Sequence, residues 1–237
     1  MSKAGRLSVT HTRPYTWPCD GPVPPERVAL IIIDMQKDFC APGGYIDAQG
    51  VDLSAARATI APIRKVLDAV RAVPSMQVIH TREGHRPELV DLPFNKRWRS
   101  EQVCPGIGNA GPLGKILVRG EPGWEIIPEL APAPGEIVID KPGKGAFYAT
   151  DLDHIVRLCG ITHLIVAGLT TDVCVHTTIR EANDRGLETL LLRDGTAATE
   201  TRHRDATFTM TEMQGGLFGA TGTSDQVASA LAALSRS

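Results

Sequence analysis

The chain has 237 residues, of which 42% are hydrophobic and 22% are charged, and its formal net charge is −2. This composition is typical of a globular protein with a full core, and the charge gives no electrostatic basis for binding nucleic acid or an anionic membrane. An odd number of scattered cysteines without a CxxC pair argues against a disulfide framework and a structural zinc site; they are residues 19, 40, 104, 159 and 174. Free cysteines favour a reducing compartment. Without a signal-peptide pattern or a membrane-length apolar run, we expect a cytoplasmic protein.

Apolar runs of strand length alternate along the chain with segments of helical periodicity. The first run, 28–33, is apolar at every position and ends at Asp34. Similar runs follow at 77–81, 136–140, 163–169 and 188–192, and helices are predicted over 54–73, 150–159, 173–185, 201–213 and 224–234. Runs that are apolar on both faces suit buried parallel strands. The alternation predicts an α/β fold: a single-domain, doubly wound parallel sheet flanked by helices.

Two segments depart from this alternation. Residues 1–25 are predicted to form an N-terminal arm ahead of a domain spanning 26–237, with Tyr15, Trp17 and Pro18 of the arm packing on a neighbouring subunit. Residues 82–123 contain repeated Pro and Gly without a sustained period, and a loop of this length is usually functional or disordered. Their aromatic and arginine content predicts an ordered loop. Both segments are candidate interfaces.

Cys174 is the strongest candidate for chemistry, because it follows an apolar strand and a Gly-Leu-Thr-Thr-Asp turn and stands at a predicted helix start. Backbone N–H groups at a helix start stabilise negative charge and favour a thiolate near neutral pH. A nucleophile is expected at the carboxyl end of a parallel strand. The alternative is a small buried hydrophobic residue, as many free cysteines are.

Asp34 and Lys141 follow two other predicted strands, so that all three residues are expected at one edge of the sheet. A carboxylate there can take the thiol proton and later return it to a leaving group. An ammonium group can hold a thiolate or an oxyanion and can orient the carboxylate. Each residue also has a simpler interpretation: Asp34 as a hydrogen-bond acceptor in a turn and Lys141 as an exposed loop lysine.

Three ordered segments, 31–39, 140–147 and 168–175, resemble the isochorismatase-like cysteine hydrolases, and the resemblance extends from about residue 28 to 234. It implies that Asp34, Lys141 and Cys174 form a catalytic triad with Cys174 as the nucleophile. It also implies a cis peptide bond between Leu169 and Thr170, which directs the N–H groups of Thr170 and Cys174 into an oxyanion hole. Relatives form dimers and tetramers, so a homo-oligomer is expected.

Differences between this sequence and other members of the superfamily narrow the range of expected reactions. A cysteine at position 174 argues against vinyl-ether hydrolysis, and the segment 50–54 lacks the Asp-x-His motif that binds metal in nicotinamidases. We therefore expect neither a metal nor a cofactor. The segments 80–87, 95–99, 119–124 and 213–216 resemble the biuret hydrolases.

This closer resemblance implies hydrolysis of biuret to allophanate and ammonia through a thioester. The alternatives are a triuret hydrolase, which forms carboxybiuret and ammonia, and a ureidoacrylate amidohydrolase. A thiol redox sensor on the same scaffold is the alternative outside enzymes. Such a sensor usually keeps a resolving cysteine close by, and the nearest one in sequence, Cys159, lies on the preceding predicted helix.

Four further residues are candidates for binding the ureide. Gln214 offers both a donor and an acceptor to an amide, and Lys144 can contact a carbonyl oxygen. Phe39 and Tyr148 can form pocket walls. The simpler interpretations are a solvated or capping glutamine, a surface lysine and ordinary aromatic packing. A cluster at Arg82, Glu83 and His85 is interpreted as an ion-paired loop anchor in preference to a ligand site.

Overall fold

The computed structural model describes residues 5–103 and 105–234; Cys104 lies outside them. Six parallel strands form one sheet in the order β5-β2-β1-β6-β7-β8, and a small antiparallel hairpin, β3–β4, stands apart. The strands are β1 (Val28–Ile33), β2 (Gln77–Glu83), β3 (Ala110–Gly111), β4 (Gly114–Lys115), β5 (Ile137–Lys141), β6 (His163–Leu169), β7 (Glu188–Ala197) and β8 (Ala220–Gly222). The sheet reverses its direction of growth beside β1, which is the topological switch point at which α/β folds place ligands.

Helices cover both faces of this sheet. They are α1 (Lys37–Cys40), α2 (Tyr45–Ala48), α3 (Ser54–Ala58), α4 (Ile60–Arg71), α5 (Phe94–Glu101), α6 (Leu152–Leu158), α7 (His176–Asp184), α8 (Thr201–Gly216) and α9 (Ser224–Leu234). Within the described ranges, no helix is both long enough and apolar enough to cross a bilayer.

The central strand β1 supplies both cores because successive side chains point to opposite faces. Leu30 and Ile32 pack in the core that contains residues of α4 and α9. Ile31 and Ile33 pack in the core that contains residues of α6 and α7. All six β1 residues are buried, as a strand covered on both faces requires. The predicted doubly wound parallel sheet is confirmed.

The structure differs from the prediction at a split helix and at an added strand, and β2 and β7 extend beyond their predicted runs to Glu83 and Ala197. The helix predicted over 54–73 is interrupted at Thr59, and α4 begins at Ile60, so that Pro62 falls in a first turn. Proline is tolerated there because its missing N–H has no acceptor in the helix, whereas in a continuous helix it would remove a hydrogen bond. The sixth strand, β8, was not predicted because three residues give too short a pattern.

The N-terminal arm packs on its own chain. Leu7 pairs with Val23, Val9 pairs with Trp17, and Arg13 exchanges backbone hydrogen bonds with Thr221 of β8 at the edge of the sheet. Trp17 is fully buried in the core on the α4 side. The prediction that Trp17 packs on a neighbouring subunit is therefore wrong, because its own core already encloses the indole ring.

Candidate active site

Four residues with reactive side chains meet at the carboxyl edge of the sheet. Asp34 follows β1, Glu83 ends β2, Lys141 ends β5, and Cys174 lies in the turn after β6. Parallel strands bring their carboxyl ends to the same edge, so residues far apart in sequence become neighbours. All four side chains are buried, and Asp34, Glu83 and Lys141 have no exposed surface.

Asp34 and Lys141 form a buried ion pair. Lys141 Nζ lies 2.7 Å from Asp34 Oδ2, and the hydroxyl of Thr81 donates a 2.6 Å hydrogen bond to Asp34 Oδ1. The Asp34 backbone has a φ of 49°, in the left-handed region that aspartate tolerates better than most residues. This turn directs the carboxylate across the end of β1.

The Lys141 ammonium group also anchors the loop that follows β5. It donates to the carbonyl oxygens of Gly143 and Lys144, at 3.0 and 2.9 Å, in addition to its contact with Asp34. Burial by itself lowers the pKa of Lys141, but the negative charges of Asp34 and Glu83 outweigh it and raise the pKa above its ordinary value. Lys141 is therefore a fixed cation that orients Asp34.

Cys174 lies in the wide turn Thr171–Val175, which leads directly into α7. The N–H of Val175 donates to Thr170 O five residues back, and the peptide bond between Leu169 and Thr170 is cis, as the family resemblance implied. The hydroxyl of Thr178 holds the Cys174 carbonyl at 2.7 Å. N–H groups in the first turn of a helix have no acceptor within it, so this geometry suits an oxyanion hole. The roles of Thr170 and Cys174 in that hole stay predictions.

The structure disfavours the thiolate that the sequence led us to expect at Cys174. Burial raises the pKa of the Cys174 thiol well above its ordinary value, and the nearby carboxylates of Glu83 and Asp34 raise it further. Lys141 and Lys144 act in the opposite direction without reversing the shift. Burial, the largest cause, thus outweighs both the helix start and the neighbouring lysines. The Cys174 sulfur lies 3.2 Å from Glu83 Oε2, the contact that a protonated thiol makes with a carboxylate.

Glu83 is the residue of this site that the sequence interpretation missed. Its Oε2 accepts the Cys174 S–H at a distance of 3.2 Å, and its Oε1 lies 2.7 Å from Lys96 Nζ and 2.8 Å from Lys144 Nζ. The interpretation of Arg82, Glu83 and His85 as an ion-paired loop anchor holds for Arg82, which pairs with Glu125 at 3.4 Å and lies over the Trp124 ring. For Glu83 it is incomplete, because this side chain pairs with Lys96 of the 82–123 loop and also lies against Cys174.

The charges in this cluster do not cancel. Two carboxylates, Asp34 and Glu83, face three ammonium groups, those of Lys96, Lys141 and Lys144. Burial by itself raises the pKa of Glu83, but the three lysines hold it well below its ordinary value. With Cys174 as a thiol, the cluster carries one positive charge in excess. It is therefore prepared to stabilise a negative charge that develops beside the sulfur.

The same cluster is poorly suited to a metal ion. Ligand-type atoms of Asp34, Glu83 and Cys174 lie within 4.8 Å of one another, a spacing that could hold a cation. The Lys141 ammonium already lies 2.7 Å from Asp34 and 3.6 Å from Glu83. A metal ion would have to displace this ammonium group against the repulsion of the remaining lysines.

Lys144, Phe39 and Tyr148 lie at the same edge of the sheet as the triad. Lys144 is half-exposed and reaches Glu83. Phe39 is buried and lines a small cavity together with Leu169 and Thr170. Tyr148 is exposed, and its ring covers Gly143, where a Cβ would lie 2.6 Å from Tyr148 Cδ1. Their roles in binding substrate stay predictions.

Gln214 lies at the opposite edge of the sheet. It is exposed, at the break where α8 loses its helical conformation, and the nearby Gly216 packs against Tyr15. The Tyr15 hydroxyl donates to Glu188, the first residue of β7. A seven-residue strand such as β6 separates the two edges by about 20 Å. One copy of the chain therefore does not bring Gln214 to Cys174.

The geometry agrees with what comparison with known proteins shows. The Isochorismatase domain matches residues 28–226, which are most of the chain. The chain belongs to the isochorismatase family. Among curated members of this family, the ureidoacrylate amidohydrolase RutB of Caulobacter segnis is 37% identical over 163 residues, which are 68% of this chain and 68% of that protein.

Solved structures of isochorismatase-family proteins share the fold. A cysteine hydrolase from Pseudomonas syringae pv. phaseolicola superposes with a TM-score of 0.74 and 28% identity, covering 90% of this chain and 96% of that one. The N-carbamoylsarcosine amidase of Thermoplasma acidophilum superposes with a TM-score of 0.64 and 25% identity, covering 84% of this chain and 97% of that one. The predictions of an isochorismatase-like cysteine hydrolase and of a hydrolase acting on amide C–N bonds are confirmed.

Proposed function

We propose that this isochorismatase-family hydrolase releases ammonia from the terminal carbamoyl group of a small ureide through a thioester on Cys174. The observation that carries the proposal is the buried thiol next to a carboxylate that is itself paired with a lysine. The Cys174 sulfur lies within 4.8 Å of an Asp34 oxygen, and Lys141 holds that carboxylate at 2.7 Å. A thiol, a base and a fixed cation are the groups that nucleophilic acyl transfer needs.

In the first half-reaction, the Cys174 S–H proton passes to the Asp34 carboxylate while the sulfur forms a bond to the ureide carbonyl carbon. The C=O electron pair moves to oxygen, and the excess positive charge of the site stabilises the resulting oxyanion. When the carbonyl re-forms, the C–N bond breaks. Asp34 returns the proton to the departing nitrogen, which leaves as ammonia.

In the second half-reaction, Asp34 takes a proton from water as the water oxygen attacks the thioester carbon. The C–S bond then breaks, and the sulfur regains a proton to become the resting thiol of Cys174. For biuret, the acid that is released is allophanate. Lys141 stays protonated throughout, since its raised pKa makes it a cation that orients Asp34 and does not carry protons.

Biuret is the substrate that we propose first. The sequence segments that resemble biuret hydrolases, 80–87 and 95–99, contribute Glu83 and Lys96 to the site. Ureidoacrylate is the second candidate, supported by the relative that hydrolyses it and by the half-exposed Lys144, whose ammonium group could pair with a substrate carboxylate.

The test is ammonia release measured as kcat/KM for biuret, triuret, ureidoacrylate and nicotinamide, with Cys174→Ser as the control. We expect biuret to give the highest value and the variant to lose at least about 10³-fold. A preference for ureidoacrylate would make the second candidate the proposed substrate. A preference for triuret would make the longer ureide the proposed substrate. A preference for nicotinamide, or turnover that survives in the variant, would overturn the proposal.

We further propose that the enzyme works in the cytoplasm as a homo-oligomer, a dimer or a tetramer, with a small molecule and neither nucleic acid nor membrane as its partner. The exposed aromatic residues Phe94 and Trp98 of α5 support an interface in the 82–123 loop, since large apolar side chains rarely stay solvated together. Light scattering on the purified protein tests this, and a monomeric mass would contradict it.

A further inference from the structure

Glu83 touches the reacting sulfur, yet the hydrolysis described above leaves it without a role. Its Oε2 accepts the Cys174 S–H at 3.2 Å. We propose that Glu83 is a fourth catalytic residue, which holds Cys174 as a thiol in the free enzyme and releases it when a ureide N–H replaces the S–H on the same carboxylate oxygen. The part that concerns the ureide rests on the proposed function.

The charged groups around Cys174 in the described part of the chain come from several elements. Asp34, Glu83, Lys141 and Lys144 approach from the strand ends and the loop after β5, and Lys96 of α5 reaches the site through Glu83. On the cysteine's own segment, Asp172 is engaged by His203 of α8, and the His176 ring packs on Phe218. Only Glu83 is hydrogen-bonded to the sulfur among the described residues.

Glu83 is a poor proton acceptor, and this sets its role apart from that of Asp34. Its carboxylate is surrounded by three ammonium groups at 2.7, 2.8 and 3.6 Å, which stabilise its charged form. Transfer of the thiol proton to such a carboxylate is unfavourable. The contact therefore keeps the proton on sulfur, whereas Asp34, with one ammonium partner, is left to receive it.

A ureide supplies the groups that can exchange with the thiol. Its nitrogen atoms carry N–H donors, and a carboxylate accepts them better than it accepts a weakly donating S–H. Once a substrate N–H occupies Glu83 Oε2, the S–H is free to turn towards Asp34, whose oxygen lies within 4.8 Å of the sulfur. Nucleophile formation is then coupled to the presence of substrate, and the free enzyme keeps an unreactive thiol.

The test uses iodoacetamide without substrate, following alkylation of the Cys174 peptide by mass spectrometry across pH, because Cys19 and Cys159 are exposed and also react. For Glu83→Gln we expect the midpoint of alkylation to fall by about one pH unit, which is about tenfold faster alkylation at pH 7. Ammonia release should fall at least about tenfold. If the substitution only made the site more accessible, the maximal alkylation rate would rise and the pH midpoint of alkylation would stay unchanged.

The matched control is Glu136→Gln, which changes a partly buried glutamate that is paired with Arg71 at a distance from the sulfur. Its alkylation midpoint should equal that of the wild type. A midpoint in Glu83→Gln that is unchanged or higher would overturn the proposal. Because iodoacetamide needs no ureide, this result is independent of the substrate panel, and loss of the proposed function would leave it standing.

Lys144→Gln provides a second test with the opposite sign, at a half-exposed position where folding tolerates the change. The substitution removes a positive charge near the sulfur and leaves the negative charge of Glu83 less neutralised. The pH midpoint of Cys174 alkylation should therefore rise. An unchanged or lowered midpoint in Lys144→Gln contradicts the role of Glu83, even if Glu83→Gln does not fold.

Discussion

Two clusters of charged side chains lie along the same pair of strands, and they are built differently. Glu136, just before β5, accepts two hydrogen bonds from Arg71, at 2.7 and 2.9 Å, one from the Ala133 N–H, and contacts His80 at 3.0 Å. Burial lowers the pKa of His80, so its ring is neutral and the charges of Glu136 and Arg71 cancel. The charged groups of this cluster are therefore paired with one another.

The cluster at the other end of β2 and β5 has one positive charge in excess and contains a thiol. Glu83 and Asp34 are outnumbered by ammonium groups, and one of these, that of Lys144, reaches solvent. In a balanced cluster the charges neutralise one another, whereas an unbalanced cluster can stabilise the negative charge that develops during a reaction. Under the proposed mechanism, this difference separates structural from catalytic ion pairs.

Among the variants that test this difference, Lys141→Met should have the largest effect on stability and activity. It leaves the Asp34 carboxylate buried without its cation, which costs about 3–5 kcal/mol of unfolding free energy. It also removes the group that orients the base, so kcat/KM should fall at least about 10²-fold. Urea unfolding and ammonia release measure the two effects.

The matched control for this variant is Lys65→Met. Lys65 forms a 2.6 Å pair with Asp225 on the surface, where solvent screens the charges. We expect little change in stability and none in activity. Equal losses in the two lysine variants would contradict the special role of the buried pair.

Glu136→Gln should separate stability from activity. It keeps the side-chain shape but weakens the charged hydrogen bonds to Arg71, which should cost about 1–2 kcal/mol of unfolding free energy. Turnover at neutral pH should be unchanged, because Glu136 lies at the start of β5 and Lys141 at its end. A fall in kcat comparable to that of Lys141→Met would show that the two clusters are coupled.

The smallest effect is a pH dependence of stability. Burial by itself raises the pKa of Glu136, but Arg71, the Ala133 N–H and His80 outweigh it and lower the pKa from 4.5 to about 2. The stabilisation from this group is complete above 4.5 and is lost as pH falls from 4.5 to about 2. Thermal melts of the wild type should therefore show a steeper decline in this window than those of Glu136→Gln. Parallel curves would contradict the assignment.

The sequence predicted the triad because each of its members follows a buried apolar run, and strand ends in a parallel sheet converge. Glu83 was missed because the apolar pattern of β2 ends at Thr81, while the strand continues for two residues beyond it. Lys96 comes from a segment without periodicity, so only the folded chain shows that α5 reaches Glu83.

Gln214 illustrates the opposite error, a residue that the sequence assigned to the site and the fold places elsewhere. Its chemistry suits a ureide, but α8 begins beside the active-site turn, where His203 contacts Asp172, and carries Gln214 to the far edge of the sheet. The direction in which a helix runs is set by packing against the sheet, and the residue types at its end do not reveal it. The raised pKa of Cys174 could not be predicted for a related reason, since burial and neighbouring carboxylates are properties of the folded site.

The central claim is that Cys174 becomes acylated during turnover. The most direct measurement is a rapid quench in acid after mixing the enzyme with biuret, followed by mass spectrometry of the intact protein and of its peptides. We predict a transient adduct on the Cys174 peptide, with the mass of biuret less ammonia, that forms with the first equivalent of ammonia and is absent in Cys174→Ser. Ammonia release without an adduct on Cys174, or an adduct on another residue, would contradict the account.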